Sequence, residues 1–377
     1  MDQTNSIGQQ SEVWSNWWEK LSPEDEIRMW DYYGGRQWVS KYIPRFGKTV
    51  EAGCGLGRYN FYFSRLGIDI EGIDFSEPVI NLLNKWKLKY NFEVPFKVGD
   101  VTNLPYEDNS LRGYISLGVI EHFIEGPHKA LAEAFRVLEP GGIAIITTPS
   151  ISWNVYRLRI KKKLKSFVKK LIRYKSKPEI FFQYEYRPLT LKKFIEEAGL
   201  FVTVYESADL LYSFLEFGNF NGKNIKYGTF GYWFSNKFEN TFLRTLGSQA
   251  ITISVKLSNI MYCFLCGEKN AQTDSLEKFT IPLCKGCQGA NLSKYYRKGV
   301  LPKYAAPYLI EPPIKKPTKE ICEFSGEEYY SDELFEDYGF TKKVSPKMLR
   351  NPEINIRLGN EFIQPIWRNR KPKNLNI

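Results

Sequence analysis

Residues 50–57 read VEAGCGLG, a glycine-rich turn that follows a short apolar run and precedes an amphipathic segment. Glycine is needed in such a turn because the chain reverses tightly and a ligand must approach the backbone closely. The N–H groups that open the following helix can receive a carboxylate or a phosphate. A purely structural turn gives the same pattern, so the turn indicates a ligand site only together with landmarks further along the chain.

Short apolar runs alternate with amphipathic segments around this turn. Strands are predicted over residues 49–52, 68–73, 94–98, 114–117, 142–147, 201–205 and 251–256. Helical spacing of apolar residues lies between them, at Val79, Leu82, Leu83 and Trp86, at Leu131, Ala134, Phe135 and Leu138, and at Leu191, Phe194, Ile195 and Ala198. Strict alternation of strand and helix predicts a parallel sheet covered by helices on both faces.

Acidic residues end the second and third predicted strands. Asp74 follows the glycine turn by roughly 20 residues, where a carboxylate can accept both ribose hydroxyls of a nucleoside. Asp100 ends the next strand, where it can accept from an adenine amino group while Val101 packs on the ring. The stretches SLGVIEHF (116–123) and RVLEPGG (136–142) follow in order. These landmarks predict a nucleoside-containing cofactor, with a dinucleotide dehydrogenase as the alternative.

The motifs resemble the class I S-adenosylmethionine-dependent methyltransferases related to ubiquinone and menaquinone biosynthesis, called methyltransferase type 11. The matching stretches are VEAGCGLGR, GIDFSE, GDVTNLPYEDNS, SLGVIEHF and RVLEPGG, and the resemblance covers residues 30–205. It implies an α/β, Rossmann-like sheet of seven strands, the last antiparallel, with S-adenosylmethionine above the strand ends. The IEHF and EPGG elements fit methyl transfer better than they fit a dehydrogenase.

By that resemblance, the cofactor-binding residues lie at the strand ends. They are Glu51, Gly53, Cys54, Gly55, Gly57, Asp74, Phe75, Asp100, Val101, Leu117 and Gly118. Glu51 is expected near the methionine amino group or behind the glycine loop, Asp74 at the ribose, and Asp100 with Val101 at the adenine. Cys54 is expected to be a small packing residue of the turn. Arg112 stands where relatives usually have an aspartate, so local contacts there are expected to differ.

Methyl transfer requires a nucleophile in line with the sulfonium methyl and, where necessary, a group that removes its proton. Glu121 and His122 follow the fourth predicted strand and are the first catalytic candidates, with a structural role as the alternative. Tyr186 and Arg187 are the second candidates, in a segment that covers the substrate in the family. Arg187 suits a carboxylate or phosphate on the substrate.

Four cysteines form the pattern C-x2-C-x17-C-x2-C at Cys263, Cys266, Cys284 and Cys287. Two such pairs, separated by a span long enough for a small hairpin, predict a zinc-ribbon-like domain. Rubredoxin-type iron is the main alternative, and disulfides are disfavoured in a reducing compartment. Four thiolates leave no open position on the ion, so the predicted zinc is structural.

The net charge of +11 comes almost entirely from one segment. Residues 156–175 carry ten Lys or Arg and no acid, with one apolar stripe at helical spacing. Such a helix suits an anionic membrane surface or a lipid-linked substrate. Nucleic-acid phosphates or ordinary solvation are the alternatives.

The predicted organisation is a methyltransferase domain over residues 1–257, with an aromatic N-terminal cap and a basic insertion at 151–183. A zinc-ribbon-like domain follows over 258–377, with a Pro-rich linker and a basic tail. The chain has no run of about 18 apolar residues and no signal-peptide pattern at its start. We therefore expect a cytoplasmic protein, with peripheral membrane contact through the insertion.

The predicted function is methyl transfer to a small, lipid-linked or glycan-type acceptor. One alternative is an RNA methyltransferase in which the zinc ribbon and the basic helix hold RNA. Another is a non-catalytic binding or scaffold protein that keeps the cofactor fold.

Overall fold

The computed structural model describes residues 35–44, 47–65, 68–90, 92–151, 181–209, 238, 241–264, 267–288, 319–321 and 328–330. Its centre is a sheet of seven strands: β1 Thr49–Ala52, β2 Ile70–Asp74, β3 Phe96–Val98, β4 Leu111–Leu117, β5 Leu138–Pro149, β6 Phe201–Ala208 and β7 Gln249–Val255. Their order across the sheet is β3-β2-β1-β4-β5-β7-β6. Strands β1 to β5 are parallel, and β7 is antiparallel to both β5 and β6. The predicted fold class is confirmed.

Five helices accompany the sheet in the described part of the chain: α1 Gly35–Tyr42, α2 Arg58–Arg65, α3 Glu77–Lys89, α4 His128–Val137 and α5 Pro188–Glu197. Two short helices follow, α6 Asp274–Phe279 and α7 Lys285–Gln288, and 3-10 turns cover Ile120–His122 and Phe242–Leu246. Strands β8 Lys319–Ile321 and β9 Glu328–Tyr330 form an antiparallel pair. None of the described helices is long and apolar enough to cross a membrane.

The sheet is buried on both faces, which explains why its central strands read as continuous apolar runs. In β5, Ile143 and Ile145 join the hydrophobic cluster that contains α1, α2 and α3 residues. Their neighbours Ala144 and Ile146 join the cluster on the opposite face, with α4 and α5. The parallel strands all end at one edge, so the side chains that follow them converge there.

One predicted helix face is wrong in detail. In α3, Ile80 is 3% exposed, whereas Leu82 is 37% exposed. The spacing 79, 82, 83, 86 and the observed buried set 79, 80, 83, 86 both satisfy a 3.6-residue period. Only contact with the sheet selects between them. Leu138, predicted at the end of a helix, begins β5 because the chain is already extended there.

Residues 261–288, termed here the cysteine module, pack against the sheet instead of lying apart from it. Met261, Phe264 and Leu283 are fully or almost fully buried in the cluster that also contains Tyr42 and Val255. The expected hairpin between the cysteine pairs is replaced by the short helix α6 and the isolated bridges Met261↔Ala271 and Gln272↔Leu283. The aromatic N-terminal segment before residue 35, the basic segment 156–175, and most of the Pro-rich linker and basic tail lie outside the described residues.

Candidate cofactor site and cysteine cluster

The glycine turn adopts backbone conformations that favour glycine. Gly53, Gly55 and Gly57 have φ values of +79°, +50° and +69°. A Cβ at Gly53 would lie 2.4 Å from Cγ2 of Val119, and one at Gly57 would lie 2.9 Å from the Phe96 ring. The turn therefore holds the end of β1 close to the segment that follows β4, as a ligand site between these strands requires.

Asp74 ties the turn to the end of β2. Its Oδ2 accepts the Gly55 N–H at 3.0 Å, and its Oδ1 accepts the Ser76 N–H at 3.0 Å. The side chain is 5% exposed, and burial raises the pKa of its carboxyl above the ordinary value against the effect of these hydrogen bonds. Each carboxylate oxygen keeps a second lone pair, so the group is suited to accept ribose hydroxyls as well.

Glu51 lies in β1 directly before the turn and is 4% exposed. Burial raises the pKa of its carboxyl to about 8, opposed by the nearby Arg58 charge. Its Oε2 has no hydrogen-bond partner among the described residues. A buried acceptor without a partner requires an explanation, and a cationic amino group of a bound ligand would supply one. The arrangement fits the methionine end of S-adenosylmethionine.

The remaining predicted cofactor residues lie at the same edge. Phe75 is 43% exposed at the end of β2. Exposed Asp100 accepts the Thr102 N–H at 2.8 Å and retains oxygen lone pairs for a ligand, while Val101 is buried. These residues form a surface suited to an adenine, because an exposed ring and a carboxylate flank the end of β3.

Leu117 ends β4, and Gly118 follows it with a φ of +74°. Cys54 is 6% exposed, and burial raises the pKa of its thiol. Its Sγ lies 2.9 Å from the position of a Cβ at Gly72. These contacts are those of a packing residue, as predicted for the cysteine of the turn.

Glu121 and His122 lie in the 3-10 turn after β4. Glu121 is 1% exposed, burial raises the pKa of its carboxyl to about 8, and its Oε2 has no partner among the described residues. A Cβ at Gly118 would lie 3.5 Å from Oε1 of Glu121, which places this carboxyl beside the cofactor edge. His122 Nε2 lies 3.8 Å from the same oxygen.

The ring of His122 is oriented by the segment 181–187. Its Nδ1 lies 2.8 Å from the carbonyl oxygen of Phe182, and the two rings meet edge-on at 5.3 Å. A carbonyl only accepts, so Nδ1 carries the proton of the neutral ring. Burial lowers the pKa of His122. The neutral ring therefore carries its lone pair on Nε2, on the side of Glu121.

The two residues of the second catalytic pair, Tyr186 and Arg187, differ in their burial. Tyr186 is 7% exposed and stacks with Tyr184 at 5.8 Å, and burial raises the pKa of its hydroxyl to about 12. Arg187 precedes α5 with an exposed side chain. Its carbonyl accepts the Thr190 and Leu191 N–H groups, so the backbone of Arg187 forms the start of the helix.

Two residues that sequence reasoning missed lie in this region. Phe182 contacts His122 through its carbonyl and ring, and Ile124 accepts the Tyr184 hydroxyl proton at 2.9 Å on its carbonyl oxygen. The available signal was the aromatic run at residues 181–186, which is dense in rings for a surface loop. The residues were overlooked because their main contribution is a backbone carbonyl, which has no sequence signature.

The cysteine cluster lies at the opposite edge of the sheet. The Sγ atoms of Cys263, Cys284 and Cys287 lie within 4.8 Å of one another, and all three residues are buried. Thiolates around one tetrahedral zinc at 2.3 Å are separated by roughly 3.8 Å, so the three atoms fit a shared ion. Gly267 has the φ of +78° that the turn after the first pair requires. Cys266, the fourth predicted ligand, lies outside the described residues.

Part of the sheet is similar in sequence to known methyltransferases. Residues 50–146 match the protein family described as Methyltransferase domain. A demethylmenaquinone methyltransferase of Staphylococcus haemolyticus is 29% identical over 164 residues, which cover 40% of this chain and 67% of that protein. A phosphoethanolamine N-methyltransferase of Arabidopsis thaliana is 33% identical over 118 residues, covering 29% of this chain and 24% of that protein. Residues 50–146 are therefore similar to a methyltransferase domain.

Coverage by the relatives is partial. The chain spans 37% of the length of a demethylmenaquinone methyltransferase from Paenarthrobacter aurescens, to which it is 35% identical over 100 residues. Among solved structures, the magnesium protoporphyrin IX methyltransferase of Synechocystis with bound S-adenosylhomocysteine has a TM-score of 0.38 at 15% identity, covering 58% of this chain and 78% of that one.

Proposed function

We propose that this chain is an S-adenosylmethionine-dependent methyltransferase acting on a small-molecule acceptor. One observation carries the proposal. At the carboxyl edge of the sheet, Asp74 holds the Gly55 N–H while the neighbouring buried Glu51 leaves one oxygen without a partner among the described residues. A ligand with ribose hydroxyls and a cationic amino group would satisfy both carboxyl groups at once. The methyltransferase family match over residues 50–146 supports the same cofactor.

Bound S-adenosylmethionine supplies an electrophilic methyl group. In our proposal Glu51 holds its amino group, the glycine turn lies against its methionine end, Asp74 holds its ribose, and Asp100 with Val101 and Phe75 holds its adenine. These residues position and enclose the ligand without taking part in bond formation.

His122 is the proposed proton acceptor for an acceptor hydroxyl or amine. Its neutral ring is favoured by burial, and its Nδ1–H is held by the Phe182 carbonyl, so Nε2 is the basic atom. Glu121, whose Oε1 lies 3.8 Å from Nε2, orients the ring or shares the proton. Tyr186 lines the same region, and contact of Arg187 with an acceptor carboxylate or phosphate stays a prediction.

An apolar surface next to His122 suggests the nature of the acceptor. Ile124, Phe182 and Tyr184 are 48%, 43% and 39% exposed. Phe182 contacts His122, and Tyr184 contacts Ile124. Exposed apolar side chains at the rim of a site favour an acceptor with an apolar portion. The relatives' names mention acceptors as different as demethylmenaquinone and phosphoethanolamine. Between the two predicted kinds of acceptor, this exposed apolar surface suits a lipid-linked molecule better than a glycan.

Transfer of a tritiated methyl group into fractionated cell extract tests this function. We expect label in a small-molecule or lipid fraction, and none when Asp74→Ala replaces the parent protein. Label in RNA would favour the RNA methyltransferase that the basic segment 156–175 also allows. Cofactor binding without label in any fraction would favour a non-catalytic protein. Binding of the parent to anionic vesicles, lost when Lys161, Lys162, Lys163 and Lys165 become Gln, tests the membrane hypothesis separately.

We further propose that the cysteine module holds one structural zinc through Cys263, Cys266, Cys284 and Cys287. The mutual proximity of three of these sulfur atoms supports it. A four-thiolate shell has no position for water or substrate, and the cluster lies at the edge opposite the cofactor residues. Metal analysis of protein purified without chelator checks the assignment and distinguishes zinc from iron.

A further inference from the structure

Arg112, the second residue of β4, is one of the largest fully buried side chains, with 1% of its surface exposed. A guanidinium does not lose its proton in a protein, so a buried one must be paired and hydrogen-bonded. This residue stands where the resembling family usually has an aspartate. The cofactor site gives no reason for the change, because Arg112 lies at the amino end of β4, away from the cofactor edge.

The partners of Arg112 come from β5 and from the cysteine module. Its Nη1 donates to Oε1 of Glu139 at 2.9 Å. Its Nη2 donates to the carbonyl oxygens of Tyr262 at 3.0 Å and Cys263 at 2.6 Å, and the guanidinium carbon lies 5.5 Å from the centre of the Tyr262 ring. One side chain of the sheet thus holds the backbone of the first cysteine of the cluster.

Further contacts hold the cysteine module against the amino edge of the sheet. The Tyr262 N–H donates to the Pro140 carbonyl at 3.1 Å. Gly141 has a φ of +82°, and a Cβ there would lie 2.8 Å from the Tyr262 carbonyl oxygen. The hydroxyls of Tyr42 and Thr280 meet at 3.2 Å. Glycine at position 141 therefore permits the close approach of backbones that brings Cys263 within reach of Arg112.

We propose that Arg112 is a positioning residue for the metal site, and that it makes the cysteine module and the methyltransferase sheet one folding unit. The inference rests on the proposed zinc site. The Cys263 carbonyl is fixed by Arg112 and its N–H by the Glu268 carbonyl at 2.8 Å, so the backbone on both sides of its thiolate is held. Changing a residue that orients a metal ligand typically costs about 10–100-fold in metal affinity.

Charge supports the same role. Four thiolates around a divalent zinc carry a net charge of about −2, and burial makes such a charge costly. The guanidinium of Arg112 contacts the backbone of one ligand and partly offsets that charge. Glu139, 21% exposed, balances the guanidinium from the solvent side.

The test compares Arg112→Met and Arg112→Lys with Lys269→Met in the full chain. Lys269 is a matched control because its Nζ also lies over the Tyr262 ring, at 5.4 Å, but its side chain is exposed, whereas Arg112 is the buried donor to both carbonyls. Metal affinity is measured by competition with a chelator and by the thiolate-to-cobalt absorption of the cobalt-substituted protein. Tryptophan fluorescence includes the sheet side through Trp38 and Trp86, which pack there, and no tryptophan lies in the cysteine module itself.

We expect Arg112→Met to weaken metal binding by about 10–100-fold and to lower the thermal midpoint reported by tryptophan. Arg112→Lys should fall between this variant and the parent, because it keeps the charge and loses the fork that joins Glu139 to the two carbonyls. Lys269→Met should match the parent in both measurements. Unchanged metal affinity in Arg112→Met, even with a lower midpoint, would overturn the positioning role.

If Arg112→Met does not fold, the metal affinity of Arg112→Lys decides the positioning role, and unchanged affinity would overturn it. The parent protein then decides the single folding unit. Chelation of its metal should lower the tryptophan-reported midpoint, and added zinc should restore it. A midpoint that stays unchanged without metal would overturn the single folding unit. Metal analysis of the parent tests the zinc site itself, and calorimetry with S-adenosylmethionine tests the cofactor site, so failure of either proposed function is recognised independently of Arg112.

Discussion

The two edges of the sheet differ in how their buried charged side chains are paired. At the carboxyl edge, Glu51 and Glu121 are buried, and each leaves one carboxyl oxygen without a partner among the described residues. At the amino edge, the guanidinium of Arg112 is equally buried but is hydrogen-bonded to one carboxylate and two carbonyls. The first edge leaves carboxyl oxygens that a ligand could pair, whereas at the second edge the chain itself pairs both terminal nitrogens of the guanidinium.

This difference distinguishes an edge that can bind a ligand from an edge that holds segments of the chain together. An unpaired buried group costs free energy until a ligand pairs it, so the carboxyl edge has the properties of a binding site. A buried ion that is paired with distant parts of the chain helps to specify which segments pack together, as Arg112 does for the cysteine module. Strand β4 connects the two edges and, at 3.3 Å per residue, separates them by roughly 20 Å. Changes at one edge should therefore have little direct effect on the chemistry of the other.

The largest effect is expected from removing the metal. Replacing both Cys263 and Cys284 with Ser should abolish metal binding, since two thiolates cannot retain the ion. Because Phe264 and Leu283 share the core of the sheet, we expect the tryptophan-reported midpoint to fall by about 10 °C or more. Calorimetry at low temperature should still detect cofactor binding.

Cys54→Ser is the control for this prediction, because Cys54 is a buried cysteine of the cofactor edge and should leave the metal content unchanged. Metal retained by the double variant would show that the cluster is not the ligand set. A midpoint equal to that of the parent would show that the module does not support the sheet.

The second prediction concerns Asp74. Its replacement by Ala removes the acceptor of the Gly55 and Ser76 N–H groups together with the proposed ribose contacts. We expect cofactor affinity to fall by about 100-fold or more, as the loss of two hydrogen bonds to a charged group implies. Calorimetry measures this directly. Asp74→Asn, which keeps one acceptor oxygen, should lie between, and metal content should be the same in all three proteins.

The sequence was sufficient for much of the sheet and of its carboxyl edge. Apolar runs located all seven strands, although β2 and β3 begin two residues later than predicted and β4, β5 and β6 are longer. Asp74 and the glycine turn were identified because their roles depend on backbone geometry that follows from strand order. The buried face of α3 was assigned wrongly at one position, since Leu82 and Ile80 satisfy the same helical period.

The amino edge was much less predictable. The cysteine spacing indicated a metal cluster, but no local pattern showed that residues 261–288 would share a core with the sheet. Arg112 was recognised as a departure from the family pattern, yet its partners Tyr262 and Cys263 lie about 150 residues away. They are contacted through backbone carbonyls. Contacts of this kind depend on tertiary packing and have no sequence periodicity.

The third prediction concerns His122. Replacement by Gln should lower the rate of methyl transfer by about 100-fold or more, the usual contribution of a positioned proton acceptor, and leave cofactor affinity close to that of the parent. Because burial lowers the pKa of His122, the parent should keep its activity to a pH below 6.5, the ordinary value for histidine. Single turnovers with the labelled extract fraction measure both.

His128→Gln is the control, since the exposed His128 packs edge-on against Phe194 of α5 at 5.3 Å. It should retain the parent rate. Equal rates for the His122 and His128 variants would remove His122 from the chemistry and leave a structural role for the Glu121–His122 pair.

The smallest effect, and the most direct test of the carboxyl edge, is proton release on cofactor binding. Without ligand, burial holds the pKa of Glu51 at about 8, so at pH 7 its carboxyl is mostly protonated, with Arg58 and Asp74 as the nearby charges. A cationic amino group beside Oε2 favours the ionised form. Binding at pH 7 should therefore release part of a proton, and affinity should rise from pH 6 to 8 by at most about ten-fold per pH unit.

The ligand's own amino group titrates near pH 8. Glu51→Gln is therefore the required control, because ligand binding to this variant includes the titration of the ligand but not that of Glu51. Calorimetry in two buffers of different ionisation enthalpy measures the released protons. Glu121→Gln, compared in the same way, separates any contribution of the second raised carboxyl. Equal release by the parent and Glu51→Gln would mean that the unpartnered oxygen of Glu51 does not face the ligand, and the contrast between the two edges would then rest on Glu121 alone.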